Sequence, residues 1–321
     1  MRLPEEVSAR TLPRPVFGRE RLVLAVMSYE MGPLLDNCLA SLRRNAPGIA
    51  IRIYDDGSAD AETNRILANA GAECRVWQRN RSTEAPTDRK TGGLHANMNR
   101  ALRDAGEDGF AFVGFVQDDT QLVRLLDSAF FSEYHKIWTA DPHIGQIRWM
   151  FTKDPSVNPG HVRSQWVPAD SGLFYGHQPS PQGILDTGIV CLPTLQEAGF
   201  HFEDGEGNNA RRSVALGLIG VFPKNPVCAW LPWPPTARHR LPLGKRLFQG
   251  FTDWYFRVGF HPLRDMTPEE VEDMVTRNPD VLPQAERFLE LARHPSHLPT
   301  PWHYEHSYAY IPQVWRRMWA R

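Results

Sequence analysis

The segment FAFVGFVQDDT, Phe110 to Thr120, is an unbroken apolar run that stops abruptly at an amide and two acids. An apolar run of this length, rich in Phe and Val, predicts a strand that is buried on both faces. Asp118 and Asp119 then lie at the carboxyl end of that strand, the edge at which open α/β sheets bind ligands. Paired carboxylates also attract a hard divalent cation. The alternative interpretation of an isolated Asp-Asp pair is a solvated turn.

The overall composition is balanced, with 36 Lys and Arg against 37 Asp and Glu in 321 residues. This balance predicts no general attraction to nucleic acid. The longest apolar runs are far shorter than the roughly 20 residues of a membrane span, and the first residues lack the apolar core of a secretory signal. A cytoplasmic location is therefore expected. The four cysteines are widely spaced, which favours small buried apolar groups over a zinc site or disulfides.

Strand and helix patterns alternate before the Phe110 segment. Strands are predicted at 21–29, 49–54 and 72–77, with helices between them and a further helix at 93–105. This alternation predicts an α/β fold with a parallel sheet of right-handed βαβ units. The turn after the first strand lacks G-x-G-x-x-G and no P-loop motif occurs, so a dinucleotide dehydrogenase and a P-loop NTPase are disfavoured. Residues 152–182 are predicted to be rich in loops.

A second acid pair, Asp55 and Asp56 in YDDGS, ends the second predicted strand. The carboxyl ends of parallel strands meet at one edge of a sheet, so the two acid pairs are expected to lie close together. Together they fit hydrogen bonding to a base or ribose and charge attraction to a cation. By itself, DDGS is also a good turn and helix cap.

The segment GGLHANMNRAL, Gly92 to Leu102, places two glycines at the junction between a loop and a helix. Glycine lets a ligand approach the backbone closely, and a helix amino terminus favours the negative charge of a diphosphate. A basic loop up to Lys90 precedes it. The alternative is an ordinary capped helix.

Taken together, four segments resemble the inverting glycosyltransferases of family 2, which have the GT-A fold. They occur in the family's order within residues 1–125: LAVMSYE, IYDDGSAD, GGLHANMNRAL and FVQDDTQL. The corresponding family patterns are a strand followed by P-x-Y-N, then V-V-D-D-G-S-x-D, N-x-G-x-x-x-A-x-N-x-G and F-L-D-x-D. The resemblance implies a GT-A type α/β fold, with a mixed, mostly parallel sheet flanked by helices and a helical C-terminal extension.

The resemblance also implies a nucleotide-sugar donor, with a UDP-sugar favoured, and Mg²⁺ or Mn²⁺ as cofactor. The implied metal ligands are Asp119 and a distal histidine, His239. Gln117 and Glu30 depart from the family pattern, which usually has an acid and an asparagine at these positions. The residues implied in donor binding are Ser28, Tyr29, Glu30, Asp55, Asp56, Lys90, Gly93, Asn97, Gln117 and Asp118.

Sugar transfer with inversion needs one base that takes the proton of the acceptor hydroxyl. In the family this base lies in an E-D segment before a helix and a later glycine. The matching segment is FEDGEGNNARRSVALG, residues 202–217, with Glu203, Asp204 and Glu206 as candidates. The E-D match favours Asp204, whereas counting back from Gly217 favours Glu206. The alternative for this loop is an acidic cap of the following helix.

The partners of the protein are predicted from the second half of the chain. Trp230 and Trp233 suit either stacking on an acceptor sugar or packing within the lobe. The basic, aromatic segments 245–260 and 314–321 fit contact with an anionic membrane and a lipid-linked saccharide acceptor, and they fit a homo-oligomer interface equally well. The expected location is therefore the cytoplasm, with peripheral attachment at the inner membrane face as the alternative. The implied process is polysaccharide biosynthesis.

Four regions are predicted along the chain: an N-terminal arm (1–20), a nucleotide-sugar-binding half (21–125), an acceptor-binding half of the same GT-A domain (126–245) and a C-terminal helical extension (246–321). The rival hypothesis is a catalytically inactive glycosyltransferase-like nucleotide-binding or scaffold protein, because Gln117 replaces an acid and the base is not fixed. A sugar-phosphate nucleotidyltransferase ranks last, since SYEMGP stands where its glycine-rich loop is expected.

Overall fold

The computed structural model describes residues 15–80, 93–153, 165–178, 181–231, 247 and 261–293. A short 3-10 helix at Arg19–Arg21 precedes the first strand. The strands are β1 (Leu22–Ser28), β2 (Ala50–Asp55), β3 (Arg75–Gln78), β4 (Phe112–Gln117), β5 (Thr120–Leu122), β6 (Ile144–Ile147), β7 (Gln165–Pro168), β8 (Phe174–Gln178), β9 (Gly188–Cys191), β10 (Ile219–Pro223) and β11 (Cys228–Trp230). The helices are α1 (Gly32–Asn45), α2 (Ala61–Ala70), α3 (Leu94–Glu107), α4 (Ser128–Ala140), α5 (Leu192–Glu197), α6 (Glu206–Ala215), α7 (Pro268–Thr276) and α8 (Ala285–Phe288).

Within the described residues, one nine-stranded sheet has the order β3-β2-β1-β4-β9-β6-β10-β8-β7. Strands β1 to β4, β6, β7 and β10 run in one direction, and only β8 and β9 run in the other. Strands β5 and β11 form a separate antiparallel pair. The predicted α/β class, with a mixed and mostly parallel sheet flanked by helices, is confirmed.

The central strands are buried on both faces because their apolar side chains alternate between two core clusters. In β1, Leu24 and Val26 pack into one cluster, whereas Val23 and Ala25 pack into the other. Every residue of β1 is buried, as is every residue of β4 except its last, Gln117. The prediction that the run before the two acids forms a doubly buried strand is confirmed.

The segment predicted to be rich in loops contains two described strands. Strands β7 and β8 pair with each other, and β8 also pairs with β10, so both extend one edge of the sheet. Trp166 of β7 packs edge-on against Phe222 of β10, with ring centroids 4.4 Å apart. The sequence prediction failed here because Pro and Gly surround these strands, and because their attachment to the sheet depends on β10, a strand far along the chain.

Residues 261–293 pack beside the turn that follows β4. The side-chain amide of Gln121 donates to the Leu263 carbonyl at 2.7 Å, and its oxygen accepts from the Leu263 backbone amide at 3.0 Å. Thr267 and Glu270 form a capping box that begins α7. Met274 of this helix is fully buried in a third core cluster. The C-terminal extension is therefore helical in part and anchored on β5.

The four cysteines are free thiols, and Cys38, Cys191 and Cys228 are buried. This placement confirms their prediction as small buried groups, with Cys74 only half-buried. Among the helices that the structure describes, none combines the length and the apolar character needed to cross a bilayer.

Candidate functional site

The first three loops of the site follow neighbouring strand ends. Ser28 at the end of β1 pairs with Asp55 at the end of β2, and Met27 pairs with Gln117 at the end of β4. The two acid pairs therefore lie at the ends of β2 and β4, the parallel strands on either side of β1, at one carboxyl edge of the sheet. This is the position at which ligands bind in open α/β sheets.

The loops after β1 and β4 are joined through Asp118. Its Oδ2 accepts a hydrogen bond from the backbone N–H of Tyr29 at 3.0 Å, and its own backbone N–H donates to the Met27 carbonyl at 3.1 Å. Burial, followed by the charge of Asp119, raises the pKa of the Asp118 carboxyl well above its usual range. Two adjacent carboxylates at this position are costly to ionise together unless a cation compensates them.

Asp55 and Ser58 shape the turn after β2. Asp55 is fully buried, and its carboxylate accepts from the Ser58 hydroxyl at 2.6 Å and from the Ser58 backbone N–H at 2.7 Å. The same hydroxyl accepts from the backbone N–H of Glu30 at 2.8 Å. Glu30 has a φ of 51°, an uncommon conformation for a residue other than glycine. Ser58 thus holds a strained residue of the loop after β1 in place.

Replacing Ser58 by alanine is expected to lower the free energy of unfolding by about 1–3 kcal/mol, because a buried carboxylate oxygen and a backbone N–H lose their shared partner. Urea denaturation monitored by circular dichroism measures the change. Thr139→Ala is the matched control, since the Thr139 hydroxyl is exposed and contacts only carbonyls of its own helix. An equal loss in both variants would contradict the role given to Ser58.

Asp56 is held by two groups at the entrance to α3. Its Oδ1 lies 3.2 Å from Nη1 of Arg79, and its Oδ2 accepts from the backbone N–H of Gly93 at 2.8 Å. Both charged side chains of this ion pair are largely buried. A Cβ added at Gly93 would lie 2.2 Å from Asp56 Oδ1, so this close approach requires glycine.

Gly93→Ala is expected to push the Asp56 carboxylate away from the start of α3 and to cost about 1.5–3 kcal/mol of stability, the value of a hydrogen bond to a charged group. The backbone of Gly93 has a φ of −90°, so alanine meets steric conflict without backbone strain. Gly176→Ala is the control, because a Cβ there would meet no atom within 4 Å. Thermal unfolding of the two variants checks this, and equal melting temperatures would contradict it.

The acidic loop 202–206 lies against α3. Asn99 of α3 donates to the Phe202 carbonyl at 2.7 Å and accepts from the Phe202 backbone N–H at 2.9 Å. Gly205 has a φ of 96° and immediately precedes α6, which begins at Glu206. The loop is therefore fixed at one end by Asn99 and reversed at the other by a glycine in a left-handed conformation.

The three candidate bases have different surroundings. Glu203 pairs with Arg212 at 2.6 Å, and its side chain is 53% exposed. Asp204 lies beside a buried histidine, with 3.9 Å between its Oδ1 and Nδ1 of His95. Glu206 is exposed by surface area, yet desolvation of its carboxyl, followed by the charge of Asp186, raises its pKa. The described surface includes a cleft of about 480 Å³ lined by His95, Ala96, Asn99, Phe202, Glu203 and Asp204.

Two residues beside the cleft were missed from the sequence. Asp186 lies two residues before β9, and its Oδ1 lies 3.1 Å from Nε2 of His95. Arg148 follows β6, is buried, and donates to the Gly183 carbonyl at 2.9 Å. Burial lowers the pKa of Arg148 to about 9, although the charge of Glu206 opposes this shift. The only sequence signal was an acid in front of a short apolar run, LDTGIV, which was interpreted as a strand alone.

Of the other residues predicted to bind substrate, metal or partners, some lie in the described structure and some lie outside it. Asn97 is buried in the first turns of α3, and Trp230 lies in β11, where Lys153 contacts its ring. Lys90, His239, Trp233 and the two basic, aromatic segments lie outside the described residues. Their roles stay predictions.

The two acids after β4 could bind a divalent cation only if another ligand also coordinated it. Within the described residues, no group of three His, Cys, Asp or Glu side chains is placed to hold a metal ion. Mg²⁺ is commonly bound by one or two carboxylates together with phosphate oxygens of a substrate. The donor set at Asp118 and Asp119 therefore fits a cation that arrives with a phosphate ligand.

Comparisons with known proteins find likeness only among solved structures. No family model and no curated protein matches the chain. A mannosyltransferase, PcManGT from Pyrobaculum calidifontis, solved with GDP-Man and Mn²⁺, is 18% identical and superposes with a TM-score of 0.45 over 76% of this chain and 66% of its own. S. aureus TarS 1-349 with UDP is 14% identical, with a TM-score of 0.41 over 74% of this chain and 72% of its own.

Proposed function

We propose that this chain is a glycosyltransferase that moves a sugar from a nucleotide-diphosphate donor, a UDP-sugar being favoured, to a hydroxyl acceptor with inversion. The observation that carries the proposal is the first turn of α3. Gly93 at its start binds Asp56 at the end of β2, while His95 in the same turn lies beside Asp204. One helix terminus therefore joins the acid that would meet the donor to the acid that would activate the acceptor.

The donor would lie along the carboxyl edge of β1, β2 and β4. Tyr29 is 41% exposed there and offers an aromatic face for a nucleobase. Asp56 and Asp118 offer carboxylates to the base or ribose. Ser28 and Asp55 are buried, and each carboxylate oxygen of Asp55 accepts a hydrogen bond from Ser58, so their contribution is to hold these loops in position.

Asp119 would hold Mg²⁺ or Mn²⁺ together with the diphosphate oxygens of the donor. When bound, the cation stabilises the negative charge that develops on the leaving diphosphate. The amide of Gln117, which stands where the family usually has an acid, leaves Asp119 and Asp118 to supply the negative charge in this segment. The undescribed His239 is the second metal ligand proposed.

Asp204 would act as the base. It lines the cleft, whereas Glu203 is neutralised by Arg212 at 2.6 Å. Glu206 begins α6, outside the residues that line the cleft. A base must reach the acceptor proton directly, and the position of Asp204 in the wall of an open cleft suits that requirement.

A thermal-shift screen tests the proposal. The purified chain is heated with UDP, GDP, other nucleoside diphosphates and their sugars, each with and without Mn²⁺. A ligand that binds only the folded state raises the melting temperature in proportion to its occupancy. We expect a shift that requires both a nucleotide and the cation, followed by release of free nucleotide from one donor sugar. Absence of any nucleotide-dependent shift would contradict the proposal.

The rival is a glycosyltransferase-like nucleotide-binding or scaffold protein without turnover. The observation that favours it is Asp56, whose carboxylate is engaged by Arg79 and Gly93 in the described chain. The same screen separates the two candidates. A nucleotide-dependent shift without donor hydrolysis or transfer to any saccharide hydroxyl would support the rival.

A further inference from the structure

We propose that His95, held by Asp186, receives the acceptor proton from Asp204 during sugar transfer. This inference deepens the proposed glycosyltransferase function and rests on it. His95 is a positioning residue in this scheme, because it acts on the acceptor only through Asp204.

The first observation is the burial of His95 with one nitrogen occupied and the other facing a carboxylate. The side chain is 2% exposed. Its Nε2 lies 3.1 Å from Asp186 Oδ1. Its Nδ1 is buried, has no hydrogen-bond partner among the described residues, and lies 3.9 Å from Asp204 Oδ1. A histidine kept only for packing normally has both nitrogens satisfied when it is buried.

The second observation is that Asp186 fixes the tautomer of the ring. A carboxylate accepts hydrogen bonds and donates none when ionised, so Nε2 carries the proton that it shares with Asp186. Nδ1 is then left as a basic lone pair. Asp186 lies two residues before β9 and is largely buried, so its position is set by the start of that strand. The ring of His95 also stacks on Phe202, with 6.3 Å between centroids and 21° between planes.

The third observation concerns the short movement that the transfer requires. Catalytic hydrogen bonds are roughly 2.6–3.2 Å long and are often longer before the substrate binds. The 3.9 Å separation lies within reach of a side-chain rotation of Asp204, which is 37% exposed. Phe202 on one side of Asp204 is tied to Asn99, and Gly205 on the other adopts a left-handed conformation. The backbone on both sides of Asp204 is therefore held in place.

The proposed step balances in atoms and charge. The acceptor oxygen forms a bond to the anomeric carbon of the sugar as its O–H bond breaks. The bond from that carbon to the diphosphate oxygen breaks, and its electron pair leaves with the nucleoside diphosphate. The proton passes to the Asp204 carboxylate and then to Nδ1 of His95. The resulting imidazolium lies between two carboxylates, those of Asp186 and Asp204, which stabilise its charge.

The charged groups around this pair are compatible with the transfer. Glu206 at the start of α6 interacts with Asp186 and His95, and Arg148 after β6 interacts with Glu206. Glu206 adds negative charge near the ring, and Arg148 offsets part of it. The charged groups that face the ring are therefore Asp186, Asp204 and Glu206, with Arg148 beside Glu206.

The test replaces His95 by glutamine in the full chain. Glutamine keeps a donor for Asp186 but lacks the basic nitrogen at the Nδ1 position. We expect kcat for transfer to fall about 10²-fold, the low end of what a positioned acid–base group supplies, with the donor KM unchanged. His143→Gln is the matched control, because His143 is half-buried and bonds the Gly217 carbonyl away from the cleft. It is expected to keep the wild-type rate.

Two further measurements keep the inference falsifiable if turnover falls through misfolding. His95→Gly opens space for a free imidazole, and added imidazole is expected to restore part of the lost rate. In ¹⁵N NMR of the wild-type chain, the Nδ1 resonance of His95 is expected to show an unprotonated nitrogen that shifts in Asp204→Asn. This readout needs no turnover.

The outcomes separate this inference from the proposed function. If the wild-type chain transfers sugar and His95→Gln transfers it at the same rate, the inference is overturned and the glycosyltransferase function stands. A protonated Nδ1, or no response to Asp204→Asn, would overturn it as well. A wild-type chain that binds nucleotide and transfers no sugar would overturn the proposed function, and the proton transfer with it, even if the two side chains are coupled in NMR.

Discussion

Asp204→Asn is expected to lower kcat for sugar transfer by roughly 10²–10⁴-fold, the range that a positioned general base contributes. Asparagine has the same shape as aspartate but does not accept the acceptor proton at neutral pH. Donor binding is expected to persist, because Asp204 lies on the wall of the cleft formed with α3 rather than at the strand ends near Asp118. Steady-state transfer, combined with a nucleotide-dependent thermal shift, measures both properties in one variant.

The parallel variants Glu203→Gln and Glu206→Gln decide among the three acids. Glu203 is neutralised by Arg212, and Glu206 is separated from Asp204 by Gly205 at the start of α6. Glu107→Gln, at the exposed far end of α3, controls for general effects of removing a carboxylate. If Glu206→Gln abolishes transfer while Asp204→Asn retains it, the base is Glu206 and the assignment of Asp204 is wrong.

Asp119→Ala is expected to remove the cation-dependent part of nucleotide binding. With nucleotide at 100 times its Kd, the folded wild-type chain gains about 2.7 kcal/mol of stability. The variant is expected to gain little from the same nucleotide and Mn²⁺, because the carboxylate proposed to hold the cation is gone. Calorimetry with nucleotide alone, and then with Mn²⁺, measures the difference.

Asp170→Ala is the control for this prediction, because Asp170 is exposed in the turn between β7 and β8. It should bind nucleotide and cation as the wild-type chain does. If Asp119→Ala retains a full cation-dependent shift, or transfers sugar at the wild-type rate, the metal role proposed for this residue is wrong.

The sheet of the first half of the domain could be predicted because its signals are local. Each of β1, β2 and β4 is an apolar run that ends at polar residues, and the helices between them have apolar faces at helical spacing. Parallel strands joined by helices place their carboxyl ends at one edge. The expectation that Asp55 and Asp118 lie at the same edge of the sheet therefore needed only the order of the segments.

The cleft beside α3 could not be predicted in the same way. Asp186 reaches His95 because β9 runs antiparallel between β4 and β6, and this pairing joins segments far apart in the chain. A strand of four residues carries little information on its partner or its direction. Arg148 was missed for a related reason, since a lone arginine after an apolar run has no local pattern that marks it as buried.

The choice of Asp56 as a donor contact also depended on contacts that the sequence does not reveal. The DDGS turn was evident, but the ion pair with Arg79 and the close approach of Gly93 depend on how α3 enters the sheet edge. The angle at which α3 meets the sheet edge determines whether a donor displaces Arg79 from Asp56 or binds beside the Asp56–Arg79 ion pair.

The contacts of α3 also limit how this domain can be recombined with related ones. Asn99 and His95 in this helix bind Phe202 and Asp186, which lie about a hundred residues further along the chain. A chimera with its crossover after residue 125 would pair this helix with a foreign loop and lose both contacts at once. Segments 93–107 and 186–206 should therefore be exchanged as one unit in any chimera.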